Sequence, residues 1–149
     1  MPSISQLHSE EATCHSRIAE LQRVLDDLAN FQAEVTLSSN HFHDQLDHKI
    51  SIAKSAADLL DNRTARRYAE YTAGYLNNDL KTAMSHEFNE VNLQIKSAVN
   101  KAEQELKREQ AQLACIKHQV AAEQARLRAE RARQEAEAEA RRHRIQLQS

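Results

Sequence analysis

The chain has 149 residues, 40% of them apolar and 28% charged, with one Gly, one Pro, two Cys, three Tyr and three Phe. A globular α/β enzyme needs glycines for its turns and phosphate loops, and only Gly74 is available, so Gly-rich nucleotide sites are excluded and β-sandwiches or barrels do not fit. Ala, Glu, Gln, Leu, Lys and Arg dominate instead; these are strong helix formers and imply long helices with few corners.

The net charge of −2 gives no global basic field for nucleic acid. Residues 1–60 hold 4 Lys/Arg against 9 Asp/Glu, residues 61–120 hold 9 against 8, and residues 121–149 hold 7 against 5. An acidic first arm and a mildly basic second one suit two segments lying side by side. The start, MPSISQLHSEEATC, has neither a basic n-region nor an apolar run, and no stretch approaches the roughly 18 apolar residues of a membrane helix. The expectation is a cytoplasmic protein without membrane insertion, with export alongside its partner as the alternative.

The first element begins after Pro2, where Ser3 and Gln6 have the spacing of a capping box. From there a 3-4 stripe runs Ile4, Leu7, Glu11, Cys14, Ile18, Leu21, Leu25, Leu28, Gln32, Val35, Ser39, Phe42, Leu46. It steps by four to Ile50 and continues through Ala53, Ala57 and Leu60, the pattern of a coiled-coil seam with a phase change near residue 46. Leu37-Ser38-Ser39-Asn40-His41 is polar but stays in phase, and reads as a kink or weak spot. The stripe stops at Asp61-Asn62-Arg63-Thr64, where capping residues cluster and a turn is expected.

A second stripe follows: Tyr68, Tyr75, Leu80, Met84, Phe88, Val91, Ile95, Ala98, Ala102, Leu106, Gln110, Leu113, Ile116, Val120. Antiparallel pairing about the turn makes partner numbers sum to about 129, which sets Phe42 near Phe88, Leu46 near Met84 and Ile50 near Leu80. The predicted fold is all-α, a long antiparallel helical hairpin over 1–120 with arms of roughly 80–90 Å at about 1.5 Å per residue. Residues 121–149 are Ala-, Arg- and Glu-rich, with staggered pairs such as Arg126 with Glu130 and Glu137 with Arg141, and predict a charged helical or frayed extension. Their interleaved signs argue against a nucleic-acid arm.

Candidate sites are few. His41, His43, Asp44, Asp47 and His48 are rich in metal-ligand types, but His41 and His43 fall on different helix faces, and solvated His/Asp pairs are the better reading. The same pairing rule sets Cys14 near Cys115; in a reducing compartment both would serve as small seam residues, and after export they would form a disulfide clipping the hairpin. Tyr68, Tyr71 and Tyr75 form a 3-4 set that either packs to lock the hairpin tip or, with Leu59 and Leu60, forms an exposed patch for a partner helix. No convergent acid, base and nucleophile is visible, so a non-enzyme without cofactors is expected, pairing with a helical partner or with itself.

Thr64-Ala65-Arg66-Arg67-Tyr68, Tyr71, Tyr75, Phe88-Asn89-Glu90-Val91 and Ile95, set after a long helix and a short turn, resemble the small YwqH-like helical proteins. These are related to the WxG-type secreted hairpins, whose Trp-x-Gly turn is here replaced by Leu60-Asp61-Asn62-Arg63. The resemblance covers about residues 10–115 and implies a helper that pairs with the helical N-terminal domain of an LXG toxin for type VII secretion. Tyr75-Leu76-Asn77-Asn78-Asp79 is similar to the Tyr-x-x-x-Asp/Glu export signal of that route, carried by Tyr75 and Asp79. A FliJ-like stalk of an export apparatus, or a coiled-coil tethering subunit, shares the hairpin and the charged arm.

Overall fold

A computed structural model describes residues 2–148. Three α-helices, α1 (Ile4–Leu59), α2 (Arg63–Gly74) and α3 (Lys81–Gln148), are joined by a short loop and by a π-helical segment, Tyr75–Leu80. No strand occurs among the described residues, and no helix is long and apolar enough to cross a membrane. The chain divides into two compact units, residues 1–22 with 104–149 and residues 23–103.

In the first unit α1 starts on a reciprocal cap. The Ser3 backbone N–H donates to Gln6 Oε1 at 3.0 Å and the Gln6 N–H donates to Ser3 Oγ at 3.2 Å, so two of the unpaired N–H groups of the first turn are satisfied. Leu7, Cys14, Ile116 and Val120 form one buried cluster with Leu113 packed against it. Leu7, 2% exposed, is the most enclosed of them. Arg17 Nη2 meets Glu105 at 3.0 Å across the seam, and Glu109 lies against Cys14. Rising numbers on α1 therefore face falling numbers on α3, which makes the pair antiparallel. Beyond Val120 the helix carries its charges on its own surface: Arg126 pairs with Glu123 at 2.6 Å and with Glu130 at 3.3 Å, and Arg141 with Glu137 at 3.9 Å.

The second unit is also antiparallel. The Phe42 and Phe88 rings lie 6.1 Å apart, and Lys81 Nζ meets Asp47 at 2.9 Å. Both pairs fit the expected pairing about residues 62–64. Leu46, Ile50, Ala57, Ala69, Ala73, Ile95 and Ala102 are its buried residues. The α1 helix runs unbroken through Leu37–His41, because Val35, Ser39 and Phe42 hold the half-buried face across that polar stretch. The first helix ends at Leu59, and Asn62 caps the next one by accepting from the N–H groups of Thr64 at 2.8 Å and Ala65 at 3.2 Å.

The segment after α2 departs from the uniform second helix that the stripe suggested. At Tyr75–Leu80 the winding loosens to i→i+5 bonding, with the Lys81 N–H donating to the Leu76 carbonyl. The large half-buried residues from there into α3, Leu76, Leu80, Met84 and Phe88, follow one another in steps of four, of which the step from Leu76 to Leu80 lies in the π-helical segment. A π turn holds about 4.4 residues instead of 3.6, so steps of four keep one face inward where alternating 3-4 steps would rotate it away. On α1 the steps from Phe42 to Leu46 to Ile50 are also fours, and the Asp47–Lys81 pair places them at the same level. Both helices thus relax their supercoil together at that level.

Candidate functional site

The tip of the second unit is where α1 and α2 meet. On α1 the inward face runs Ala53, Ala56, Ala57, and on α2 it runs Ala65, Ala69, Ala73, all half-buried or buried. Alanine lets helix axes approach closely, since no long side chain holds them apart. A shallow groove opens on one side, floored by Ala53, Ala56, Ala65 and Ala69 and edged by Leu60 and Tyr68. On the other side a second, more polar groove runs past Lys54, Asp58, Glu70, Gly74 and Asn77. Arg66 ties the tip together: its Nη2 and Nε donate to the Leu60 carbonyl at 2.9 and 3.2 Å, satisfying an acceptor that the end of α1 leaves unpaired.

This geometry decides where the tyrosines go. Tyr68 is 74% exposed, Tyr71 73% and Tyr75 47%, so they do not lock the tip as a packing cluster. The physical reason is the alanine seam: Ala69 and Ala73 occupy the inward face of α2, and a neighbouring residue is rotated by about 100° from it. The buried stripe therefore enters this region through Ala69 and Ala73, and not through Tyr68 and Tyr75 as the spacing suggested. Leu59, 83% exposed, adds to the uncovered apolar surface, while Leu60 is half-buried under its bond from Arg66. Tyr75 and Asp79 both lie exposed within the π-helical segment.

The cysteines do not face each other. Cys14 is buried and Cys115 exposed, and both are free thiols. The seam of α3 passes through Leu113, Ile116 and Val120, so Cys115, one residue before Ile116, is turned about 100° out of it. Burial pushes the Cys14 thiol above its ordinary range, and the neighbouring Glu109 carboxylate adds to the effect. A group in that state is a poor nucleophile.

The His/Asp run on α1 is dispersed. Asp47 is engaged by Lys81, and the His43 ring stands edge-on to Phe42 at 5.6 Å and tilted to Phe88 at 6.4 Å. No group of three or more His, Cys, Asp or Glu among the described residues is arranged to hold a metal ion. Two polar atoms in this unit, His43 Nδ1 and Asn92 Oδ1, are buried without a hydrogen-bond partner. The stripe gave no sign of them, because His43 and Asn92 each sit one residue beyond a seam position, after Phe42 and Val91.

No known protein family matches the chain, and neither a characterised protein nor a solved structure is significantly similar to it.

Proposed function

We propose that this is a non-catalytic helical interaction protein whose tip, at the α1–α2 junction, docks a helix of another protein. The observation that carries this reading is the tip itself: Tyr68 edges an alanine-floored groove, and Leu59, Tyr71 and Tyr75 are exposed in the same stretch of chain. Uncovered aromatic side chains at 3-4 spacing bring large contact area with little rotamer entropy to lose, and alanines beneath them admit a third helix at close range. No acid, base and nucleophile converge on the groove.

The partner that the YwqH-like resemblance supplies is the helical N-terminal domain of an LXG toxin, with Tyr75 and Asp79 as an export-signal pair for type VII secretion. Long helices of such a domain expose apolar stripes that a helper hairpin would cover. Co-expression with that domain is expected to give one complex on a sizing column at micromolar concentration. Tyr68→Ser/Tyr71→Ser is expected to separate the two proteins while leaving the helical circular dichroism of this chain unchanged. Separate elution of the unmodified proteins overturns the toxin reading; retained binding by the tyrosine variant overturns the tip as the docking site.

A further inference from the structure

The two sides of the tip differ in charge. On one, Ala53, Ala56 and Leu60 of α1 and Ala65, Tyr68 and Thr72 of α2 line the shallow groove. Lys49 and Ile52, one turn before Ala53 and Ala56 respectively, extend that side along α1, and Tyr75, three residues past Thr72, extends it along α2. On the other side lie Lys54, Asp58 and Glu70. Leu59 and Tyr71 belong to neither groove: each stands two residues, about 200°, from the buried Ala57 and Ala69, and so points away from the seam. Granted a tip that docks a helix, on which this rests, we infer that the groove side free of acidic residues takes it. The helix that fits presents aliphatic side chains at 3-4 spacing with no charge among them, and one carboxylate at the end that reaches Lys49.

Charge and shape together select that occupant. Between residues 49 and 75, Lys49 is the one charged side chain on this side; it is exposed and has no ion-pair partner among the described residues. A charge in the middle of the partner's stripe would leave water for a surface of alanine, Ile52 and Tyr68, with nothing opposite to pair it. A carboxylate at the Lys49 end meets an opposite charge instead, at a rim that water still reaches. Shape sets the size of the side chains. The alanine floor leaves depth for aliphatic knobs, with Ile52 and Leu60 on one wall and Tyr68 and Tyr75 on the other. Ile52, Tyr68 and Tyr75 are exposed, so the walls are open to such a helix.

The chain has no Trp and only three Tyr, all of them at the tip, so tyrosine emission of the full chain reports this surface. The probe is a synthetic amphipathic helix of about 20 residues with Leu and Ala along its stripe, a Glu at one end of the stripe and no other charge in it. A twin peptide carries its Glu in the middle of the stripe. Titration with the first is expected to change tyrosine emission to saturation, and the twin to leave it unchanged. Ala56→Leu, which fills the groove, should weaken binding by about tenfold or more. Lys49→Glu, at an exposed position that keeps the test decisive if the filled groove unfolds, should weaken it about threefold, and a probe with Lys in place of the end Glu should restore it. Tyr75→Ser is expected to weaken binding, and Tyr71→Ser and Asp58→Ala to leave it as it was. No binding of the first peptide overturns the assignment, as does equal binding of the twin, or indifference to both Ala56→Leu and Lys49→Glu. Tyrosine emission that changes on dilution of the chain alone gives the face to a second copy and overturns it too. If the peptides fail while Tyr68→Ser/Tyr71→Ser still loses the toxin domain, the tip reading stands and only the groove assignment falls.

Discussion

Residues 1–22 with 104–148 and residues 23–103 share the same two long helices and the same 3-4 spacing, yet they treat large apolar side chains in opposite ways. The first unit gathers Leu7, Cys14, Leu113, Ile116 and Val120 into one cluster and, among the described residues, leaves large apolar side chains exposed only at Ile145 and Leu147, near its end. The second unit holds every aromatic residue of the chain, exposes Val24, Phe31, Leu37, Ile52, Leu59, Leu93 and the three tyrosines, and encloses two unpartnered polar atoms. It also contains the loop and the π-helical segment. A heptad stripe satisfies one face of a helix, and what lies on the flanks decides whether that helix is finished or still needs company. The first unit encloses its large apolar residues in a cluster, and the second leaves many of them uncovered.

The sharpest way to break this contrast is truncation on each side of it. Leu7→Ala should cost about 2–4 kcal/mol in urea unfolding, because it opens a cavity in an enclosed cluster. Phe31→Ala should cost under about 1 kcal/mol, since half its surface is already in water. Equal costs would erase the distinction between a closed and an open unit. The two cysteines provide a second test inside the first unit: iodoacetamide should modify Cys115 at least about a hundredfold faster than Cys14. Because the Cys14 pKa is raised in the folded chain, its contribution to stability is complete below the ordinary value of 9.0 and is lost as pH rises through the folded value. Urea midpoints should accordingly fall at strongly alkaline pH, and Cys14→Ala should lessen that fall.

Within the second unit the expected effects are smaller. Asn62→Ala removes two hydrogen bonds to the start of α2 and should cost about 1 kcal/mol by thermal unfolding. Asn92→Leu replaces an orphaned carbonyl by an apolar group and should stabilise by about 1 kcal/mol; a loss of stability would show that Asn92 has a partner after all. Gly74→Ala should stabilise by about 0.5–1 kcal/mol, since the position is helical and a methyl group there meets open space. Asp47→Ala, which breaks an exposed ion pair, should change stability by less than about 0.5 kcal/mol.

Much of this fold was legible before any coordinates. The 3-4 stripe of α1 names its inward face, with Gln32 the one member left exposed, because a long helix that buries a single face must repeat at that spacing. The Ser3/Gln6 cap and the Asn62 cap were legible for a similar reason: each is a contact between residues two or three apart. Charge spacing on α3 likewise announced the Arg126–Glu130 and Glu137–Arg141 pairs.

What lay beyond the sequence depended on distance between helices. Whether Tyr68 or its neighbour Ala69 turns inward depends on how closely α1 approaches α2, and the alanines on both sides set that approach jointly. Cys14 and Cys115 matched in number but not in face, a difference of one residue and about 100° that only packing resolves. The π-helical winding at Tyr75–Leu80 and the burial of His43 and Asn92 arise from the fit of one helix to another. The sequence by itself determined the helices, their caps and their inward stripe, because those follow from short-range periodicity. Only the tertiary structure decided which large side chains remain uncovered, because exposure depends on residues far apart in the chain.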